Sequence, residues 1–280
     1  MSGVDPSAAV AKQTKLASEI FDELYNKTFD GVGVTRASYG EGEQVASELL
    51  ESHAKKLGLV IDHDAAGNIY MTMRGESQEA PPIVIGSHID SVAQGGNFDG
   101  AAGVISGLIA CAGIIEKGIR LPQDIRVMGI RAEESAWFGV SYIGSRSALG
   151  TLPKDALDNA KRSDTGITLG EHMFKAGCNP DALRAGDIYL PPSSLKAYLE
   201  VHIEQGPVLD NKDLPLGIVT GIRGNRRLPS AQCIGEYSHC GGVPRSYRKA
   251  VSYTHLRAHE TREDRGWPRG RGKKMGGGGG

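Results

Sequence analysis

Cysteine is scarce in this sequence of 280 residues, which contains four: Cys111, Cys178, Cys233 and Cys240. They show no CxxC spacing, which excludes a zinc knuckle, and their scatter does not fit a disulfide framework. The first residues lack the basic stretch and apolar core that a secretory signal needs. We therefore expect reduced thiols in a cytoplasmic protein.

Long apolar runs and an excess charge are also missing. No apolar run reaches the roughly 18–20 residues needed to span a bilayer. The formal net charge is −1 at pH 7, and hydrophobic residues make up 39% of the chain. This composition can bury a sizeable core and predicts neither a nucleic-acid partner nor a membrane partner.

Strand-like and helix-like segments alternate along the first two hundred residues. Such alternation predicts an α/β sheet with helices covering its faces. The segment 151–192 is polar and rich in proline, so we expect short helices and loops there. The predicted helices are about 8–25, 41–57 and 101–115, and the predicted strands are 59–62, 68–73, 82–87, 125–131, 195–202, 216–222 and 228–235.

The segment 86–100, GSHIDSVAQGGNFDG, gathers metal-binding side chains between a strand and a helix. His88 and Asp90 follow the apolar strand, and Asp99 precedes the apolar helix. A carboxylate two residues after an imidazole can accept the second ring N–H and fix the tautomer that binds metal. Taken alone, the segment also fits a helix N-cap with a solvated loop histidine.

Two further apolar strands end in residues of the same chemistry. Glu133 and Glu134 follow one strand, and His202, Glu204 and Gln205 follow another. Each group alone is ordinary, since a Glu-Glu pair is usually surface and a single histidine is usually structural. Ligands of open α/β sheets bind at the carboxyl ends of the strands. The convergence of three such ends therefore predicts a metal site.

Three ordered blocks carry a family resemblance: GSHIDSVAQGGNFDGAAGV, RAEESAWFGVSYIGSRSALG and LEVHIEQGPVLD. They resemble the hydantoinase/carbamoylase family of amidohydrolases, within the superfamily of di-metal aminoacylases and carboxypeptidases. The resemblance implies a mixed central sheet flanked by helices, with an inserted α+β dimerisation domain, and a homodimer when full length. It implies hydrolysis of a linear C–N bond in a small-molecule N-carbamoyl or ureido acid. An N-carbamoyl-L-amino acid is the first choice; allantoate or ureidoglycolate is the alternative.

The resemblance also implies two divalent metal ions, which would be zinc, manganese or cobalt. His88 would bind one ion, oriented by Asp90, and His202 would complete that site. Asp99 would bridge both ions, and Glu134 would bind the second. A mixed set of imidazoles and carboxylates accepts several of these metals, so the residues do not choose among them.

Three further roles follow from the same resemblance. Glu133 would be the general base, and Gln205 would face the substrate. His239, in the segment EYSHCGG, would stabilise the developing oxyanion. Without the family argument, His239 fits a turn beside two glycines equally well.

The resemblance predicts a catalytic domain at 1–213 and the beginning of a small dimerisation domain at 214–251. The segment 252–280 ends in five glycines and has no apolar periodicity, so we expect a disordered, non-native tail. No counterpart of the family's last histidine ligand, or of its substrate-binding asparagine and arginine, is found here. We therefore expect a truncated copy without turnover; the alternative class is a non-catalytic metal-binding relative.

Overall fold

The computed structural model describes residues 6–221, and side chains from residue 8 onward. Within them lies a five-stranded mixed sheet with the strand order β1-β2-β4-β3-β5. Strand β2 runs antiparallel to both of its neighbours, β1 and β4, while β4, β3 and β5 run parallel to one another. The strands are β1 (Val60–His63), β2 (Ile69–Met73), β3 (Ile83–His88), β4 (Ile125–Ile130) and β5 (Ala197–Leu199).

Apolar side chains cover both faces of the sheet, because alternate residues of a strand point in opposite directions. Ile69, Met71 and Val127 belong to a core on one face. Tyr70 and Met128 belong to a separate core on the other face. Strands buried on both sides read as nearly continuous apolar runs, as these do.

Helices flank the sheet. The long helix α4 (Ala101–Glu116) packs on β3 and β4. Gly107 allows that approach, since a Cβ there would lie 2.8 Å from Val127 Cγ1. The other helices are α1 (Pro6–Ala11), α2 (Thr14–Thr28), α3 (Glu41–Lys56), α5 (Ser135–Phe138), α6 (Ile143–Ala148), α7 (Ala156–Asn159), α8 (Leu169–Lys175), α9 (Pro180–Arg184) and α10 (Val208–Asn211), with a 3-10 turn at Pro192–Ser194.

The predicted α/β fold is confirmed, and the first four predicted strands lie within two residues of the observed ones. The predicted helix 8–25 is wrong in one respect, because the chain breaks at Lys12 and Gln13 into α1 and α2. The break lets α1 lie directly against α4. Gly113 makes room for it, since a Cβ there would approach Val10 to 3.1 Å.

Of the two strands predicted next along the chain, one is confirmed in part and the other is wrong over its described residues. The strand predicted at 195–202 is shortened to β5, which within residues 6–221 pairs on one side only, with β3. Beyond Leu199 the chain leaves the sheet, and its Val201 carbonyl lies 2.4 Å from where a Cβ on Gly103 would stand. Residues 216–221 of the strand predicted at 216–222 form no strand, and Ile218 is 90% exposed.

The chain divides into two compact units after Gly206. The described part of the second unit consists of α10 and the irregular segment 212–221. The predicted domains at 1–213, 214–251 and 252–280 stay predictions, and the strand predicted at 228–235 lies outside the described residues. No helix of residues 6–221 combines the length and hydropathy of a membrane span.

Candidate metal centre

The predicted ligand residues all lie at one edge of the sheet. His88 is the last residue of β3, and Glu133 and Glu134 follow β4. His202 follows β5. Asp99 precedes α4 and is separated from it by one residue, Gly100. Because β4, β3 and β5 are parallel, their carboxyl ends meet at the same edge. The structure thus brings these five side chains into the two neighbouring groups described below.

The first group is a triangle of His88, Asp99 and His202. Asp99 Oδ1 lies 3.5 Å from His88 Nε2 and 3.4 Å from His202 Nε2, and the two Nε2 atoms are 3.2 Å apart. The Nδ1 atom of each imidazole lies 2.9 Å from a backbone carbonyl, of Asp90 and Ile203 respectively. An Nδ1–H that donates to a carbonyl leaves Nε2 as an acceptor with a free lone pair.

These contacts leave three electron-rich atoms facing one another. Asp99 Oδ1 is buried and accepts no hydrogen bond from any described residue. A buried acceptor without a partner is costly, and so is a set of lone pairs at close range. Metal bonds of about 2.0–2.1 Å in a tetrahedral site separate donor atoms by about 3.3–3.4 Å. The triangle therefore fits a divalent cation.

The pKa values of the same groups show that a positive charge is favoured at this position. Burial alone lowers the pKa of His88, but Asp90 and Asp99 outweigh it and raise that pKa well above its usual value. Burial raises the pKa of Asp99, whereas His88, Gln205 and His202 lower it, with a net decrease. The carboxylates thus favour a cation at this position, which either a proton or a metal ion can supply.

The second group contains His88, Glu133 and Glu134. Glu134 is buried, with 5% of its surface exposed, whereas Glu133 is half-buried. Burial raises the pKa of the Glu134 carboxyl to about 8, with His88 opposing and the carboxylates of Asp90 and Glu133 adding to the rise. A carboxylate in this environment is stabilised by any cation that binds it. Both groups share His88, so they adjoin.

Asp90 has more partners than the sequence predicts. The Oδ1 atom of Asp90 is 3.6 Å from His88 Nδ1. The backbone carbonyl of Asp90 is the closer acceptor for that ring nitrogen, at 2.9 Å. The carboxylate accepts the backbone N–H groups of Glu133 at 2.9 Å and Glu134 at 3.1 Å, and the Ser38 hydroxyl at 2.6 Å. Asp90 therefore orients both the imidazole and the pair of glutamates.

Gly100 explains how His88 and Asp99 come so close. Its φ of +66° is left-handed, and a Cβ at this position would stand 2.4 Å from His88 Nδ1. Only glycine offers both the conformation and the space. The imidazole thus packs directly on the backbone that follows Asp99.

Gln205 lies beside the first group, where its side-chain amide donates to Asp99 Oδ2 at 2.8 Å. Its backbone φ is +56°, in the left-handed region. The predicted role of Gln205 towards substrate stays a prediction. His239 lies outside the described residues, and its role stays a prediction too.

Several buried residues of the site carry no recognisable signal in the sequence. Arg36 is fully buried and donates to the carbonyls of Ile89 at 2.7 Å and Asp99 at 3.2 Å. Burial lowers its pKa to about 10, with Asp90 and Asp99 opposing. Ser38 is equally buried. Their side chains act on residues more than fifty positions away, which local patterns cannot reveal.

Comparison with known proteins shows which families and proteins this chain resembles. Residues 68–169 match the model of Peptidase family M28. The chain is 41% identical over 217 residues to the N-carbamoyl-L-amino acid amidohydrolase of Geobacillus stearothermophilus, covering 78% of this chain and 52% of that protein. It is 33% identical over 226 residues to a probable allantoate deiminase of Oryza sativa subsp. japonica, covering 80% and 45%.

A solved structure agrees with these relatives. The hydantoinase/carbamoylase family amidase from Burkholderia ambifaria superposes with a TM-score of 0.64 and 27% identity, over 86% of this chain and 59% of that one. The chain spans about half the length of the curated relatives it matches. In sequence and in fold the chain is similar to the hydantoinase/carbamoylase family of amidohydrolases.

Proposed function

We propose that this chain supplies the metal-binding part of an amidohydrolase that cleaves a linear C–N bond of an N-carbamoyl or ureido acid. One observation carries the proposal: the buried Asp99 Oδ1 has no hydrogen-bond donor within residues 6–221 and faces the Nε2 atoms of His88 and His202. His88, Asp99 and His202 would hold one divalent ion, and Asp99 and Glu134 would hold a second. Zinc, manganese and cobalt all suit such ligands.

Divalent ions held by these residues would lower the pKa of a water molecule and polarise the carbonyl to be attacked. In the proposal Glu133 is the general base, and the half-buried position of Glu133 beside the buried Glu134 supports this role. It takes the proton of the attacking water and delivers it to the leaving nitrogen. Asp90 fixes the backbone of both glutamates during these transfers.

The proposed substrate is an N-carbamoyl-L-amino acid. Its support is the 41% identity to a protein that bears this activity in its name. Allantoate or ureidoglycolate is the alternative, supported by the 33% identity to a probable allantoate deiminase. In both cases Gln205 would contact the substrate, and His239 would donate a hydrogen bond to the carbonyl oxygen as charge develops there.

The proposal extends to the setting of the whole protein. We propose a cytoplasmic homodimer that acts on a small molecule, with no nucleic-acid or membrane partner. The lack of turnover in the 280-residue chain itself also stays a prediction. The test therefore treats two properties separately. We expect metal binding from this chain, and we expect hydrolysis from a complete catalytic domain.

The test compares this chain with a chimera in which residues 68–206 replace the matching segment of the Geobacillus stearothermophilus relative. Both are loaded with Zn²⁺, Mn²⁺ or Co²⁺ and assayed for release of ammonia and amino acid from N-carbamoyl-L-amino acids, allantoate and ureidoglycolate. We expect the chimera to hydrolyse N-carbamoyl-L-amino acids and to stop when a chelator removes the metal. A folded, metal-loaded chimera that hydrolyses none of the three substrates contradicts the proposal.

A further inference from the structure

Glu133 and Glu134 project from a turn with an unusual backbone. Ala132, the residue before them, is fully buried and has a φ of +52°. L-residues with a Cβ rarely adopt this left-handed conformation, which persists only when surrounding contacts hold it. The direction of both glutamates therefore depends on whatever fixes Ala132.

Two buried carboxylates accept three successive N–H groups of this turn. Ala132 donates to Glu43 Oε1 at 2.8 Å, while Glu133 and Glu134 donate to Asp90. The carbonyls on the other side of the turn are also satisfied. Those of residues 131, 132 and 133 accept from the backbone N–H groups of residues 144, 143 and 142 at 2.8–3.0 Å.

Glu43 holds a second left-handed residue at the same time. Its Oε2 accepts the backbone N–H of Tyr39 at 2.7 Å, and the φ of Tyr39 is +51°. Ser38, the residue before Tyr39, donates its hydroxyl to Asp90 at 2.6 Å. Glu43 and Asp90 are thus linked through both turns, although Glu43 lies on α3.

Stability alone does not account for the burial of Glu43. Its side chain is fully buried, and Arg131 is its ionic partner, with Nε donating to Oε2 at 2.8 Å. The cost of taking two such charges out of water commonly matches or exceeds their attraction. A neutral apolar pair would fill the space without that cost. What the apolar pair cannot do is accept the N–H groups of Ala132 and Tyr39.

We propose that Glu43 is a positioning residue of the metal centre. Its hydrogen bonds to Ala132 and Tyr39 hold the left-handed turn from which Glu133 and Glu134 reach the metal. The inference rests on the proposed function for what the two glutamates do. The link between Glu43 and the turn can be measured without hydrolysis.

The experiment is a double-mutant cycle in the full 280-residue chain. Glu43→Gln and Glu43→Asp are each made alone and with Ala132→Gly; the shorter aspartate keeps the charge and loses the reach to Ala132. Asp124→Asn, with and without Ala132→Gly, is the matched control. Asp124 is a buried carboxylate that accepts from Arg74 and Gly75 at the opposite end of β4.

Two quantities are measured for every variant: urea unfolding of the metal-free chain, and the affinity and visible absorption of bound Co²⁺. We expect either Glu43 variant to weaken Co²⁺ binding by about 10–100-fold, as loss of outer contacts to a metal site typically does. The absorption bands of Co²⁺ should change as well, because they report ligand geometry. Ala132→Gly should restore much of the loss, since glycine adopts a positive φ without steric cost.

The control variant Asp124→Asn should unfold at a lower urea concentration and keep the Co²⁺ affinity and spectrum of the wild type. Adding Ala132→Gly to it should not raise its Co²⁺ affinity. Unchanged Co²⁺ binding in a folded Glu43 variant overturns the proposal, and so does an equal effect of Ala132→Gly in the Glu43 and Asp124 backgrounds. If Glu43→Gln does not fold, Glu43→Asp decides. If the chimera hydrolyses none of the substrates while Ala132→Gly still restores Co²⁺ binding in the Glu43 variants, the proposed function is refuted and the role of Glu43 is not.

Discussion

Asp90 accepts the backbone N–H of Glu133 at 2.9 Å, across 43 residues of sequence. The same carboxylate accepts from Glu134 and Ser38, and the Asp90 carbonyl lies 2.9 Å from His88 Nδ1. One buried residue therefore connects the end of β3 to the turn after β4. The burial of Asp90 raises its pKa, but these partners outweigh burial and lower it.

The first prediction concerns Asp90→Asn. The amide of asparagine keeps one acceptor oxygen. Its NH₂ group would face an N–H or O–H group that now donates to the carboxylate, and two donors cannot form a hydrogen bond. We expect metal affinity to fall about 10–100-fold, measured by calorimetric titration of the metal-free chain. Ser38→Ala removes one of the hydrogen bonds to the carboxylate and should cost less. Equal metal affinity in wild type and Asp90→Asn would leave Asp90 with a purely structural role.

The second prediction separates the two glutamates. Glu133→Gln should keep metal binding and lower turnover of the active chimera by about 10²–10⁴-fold, because an amide cannot accept the proton of water. Glu134→Gln should reduce the metal content measured by elemental analysis. Near-normal turnover in Glu133→Gln would show that the roles are misassigned.

The third prediction is a pH dependence that metal abolishes. In the metal-free fold the pKa of Glu134 is about 8, above its usual 4.5. Between these values the folded state holds a proton that the unfolded chain has lost, so stability falls as pH rises. His88, with its raised pKa, adds a decline in the same direction.

Thermal unfolding between pH 5 and 8.5 checks this dependence. The melting temperature of the metal-free chain should decline with rising pH, and Glu134→Gln should make the slope shallower. Added Zn²⁺ should flatten it further, because metal binding displaces the protons. A metal-free melting temperature that is constant or rises over this range contradicts the assignment.

The fourth prediction uses two glycines with similar positive φ values. Gly100 and Gly118 have φ values of +66° and +63°, and a Cβ would meet His88 only at Gly100. Gly118→Ala should cost about 1 kcal/mol through its backbone alone. Gly100→Ala should cost about 1–3 kcal/mol more and weaken metal binding, because the ring of His88 must move. Equal effects of the two variants on metal affinity would contradict the packing argument.

The site residues that the sequence predicts are those that stand directly beside an apolar strand or helix. His88, Asp99, Glu133 and Glu134 each follow an apolar strand or precede an apolar helix, so their common edge follows from strand direction. The support around them is different in kind. Glu43 and Arg36 resemble ordinary surface residues in the sequence, and they reveal their role only through contacts 53 to 89 positions away.

The failures of the fold prediction have a similar cause. The segment around Tyr198 has the composition of a central strand, yet within residues 6–221 β5 pairs only with Ile83–Ile85 of β3. Residues 216–221 alternate like a strand and form none. Strand propensity describes a side chain that fits a pleated surface, and pairing depends on which neighbour is present.

The most direct test of the metal centre is a crystal of the chain soaked in Zn²⁺ and measured at the zinc absorption edge. The account predicts an anomalous peak about 2.0–2.2 Å from His88 Nε2, Asp99 Oδ1 and His202 Nε2. A peak elsewhere with these three side chains unliganded, or well-ordered crystals that show no zinc at this triangle, would contradict it.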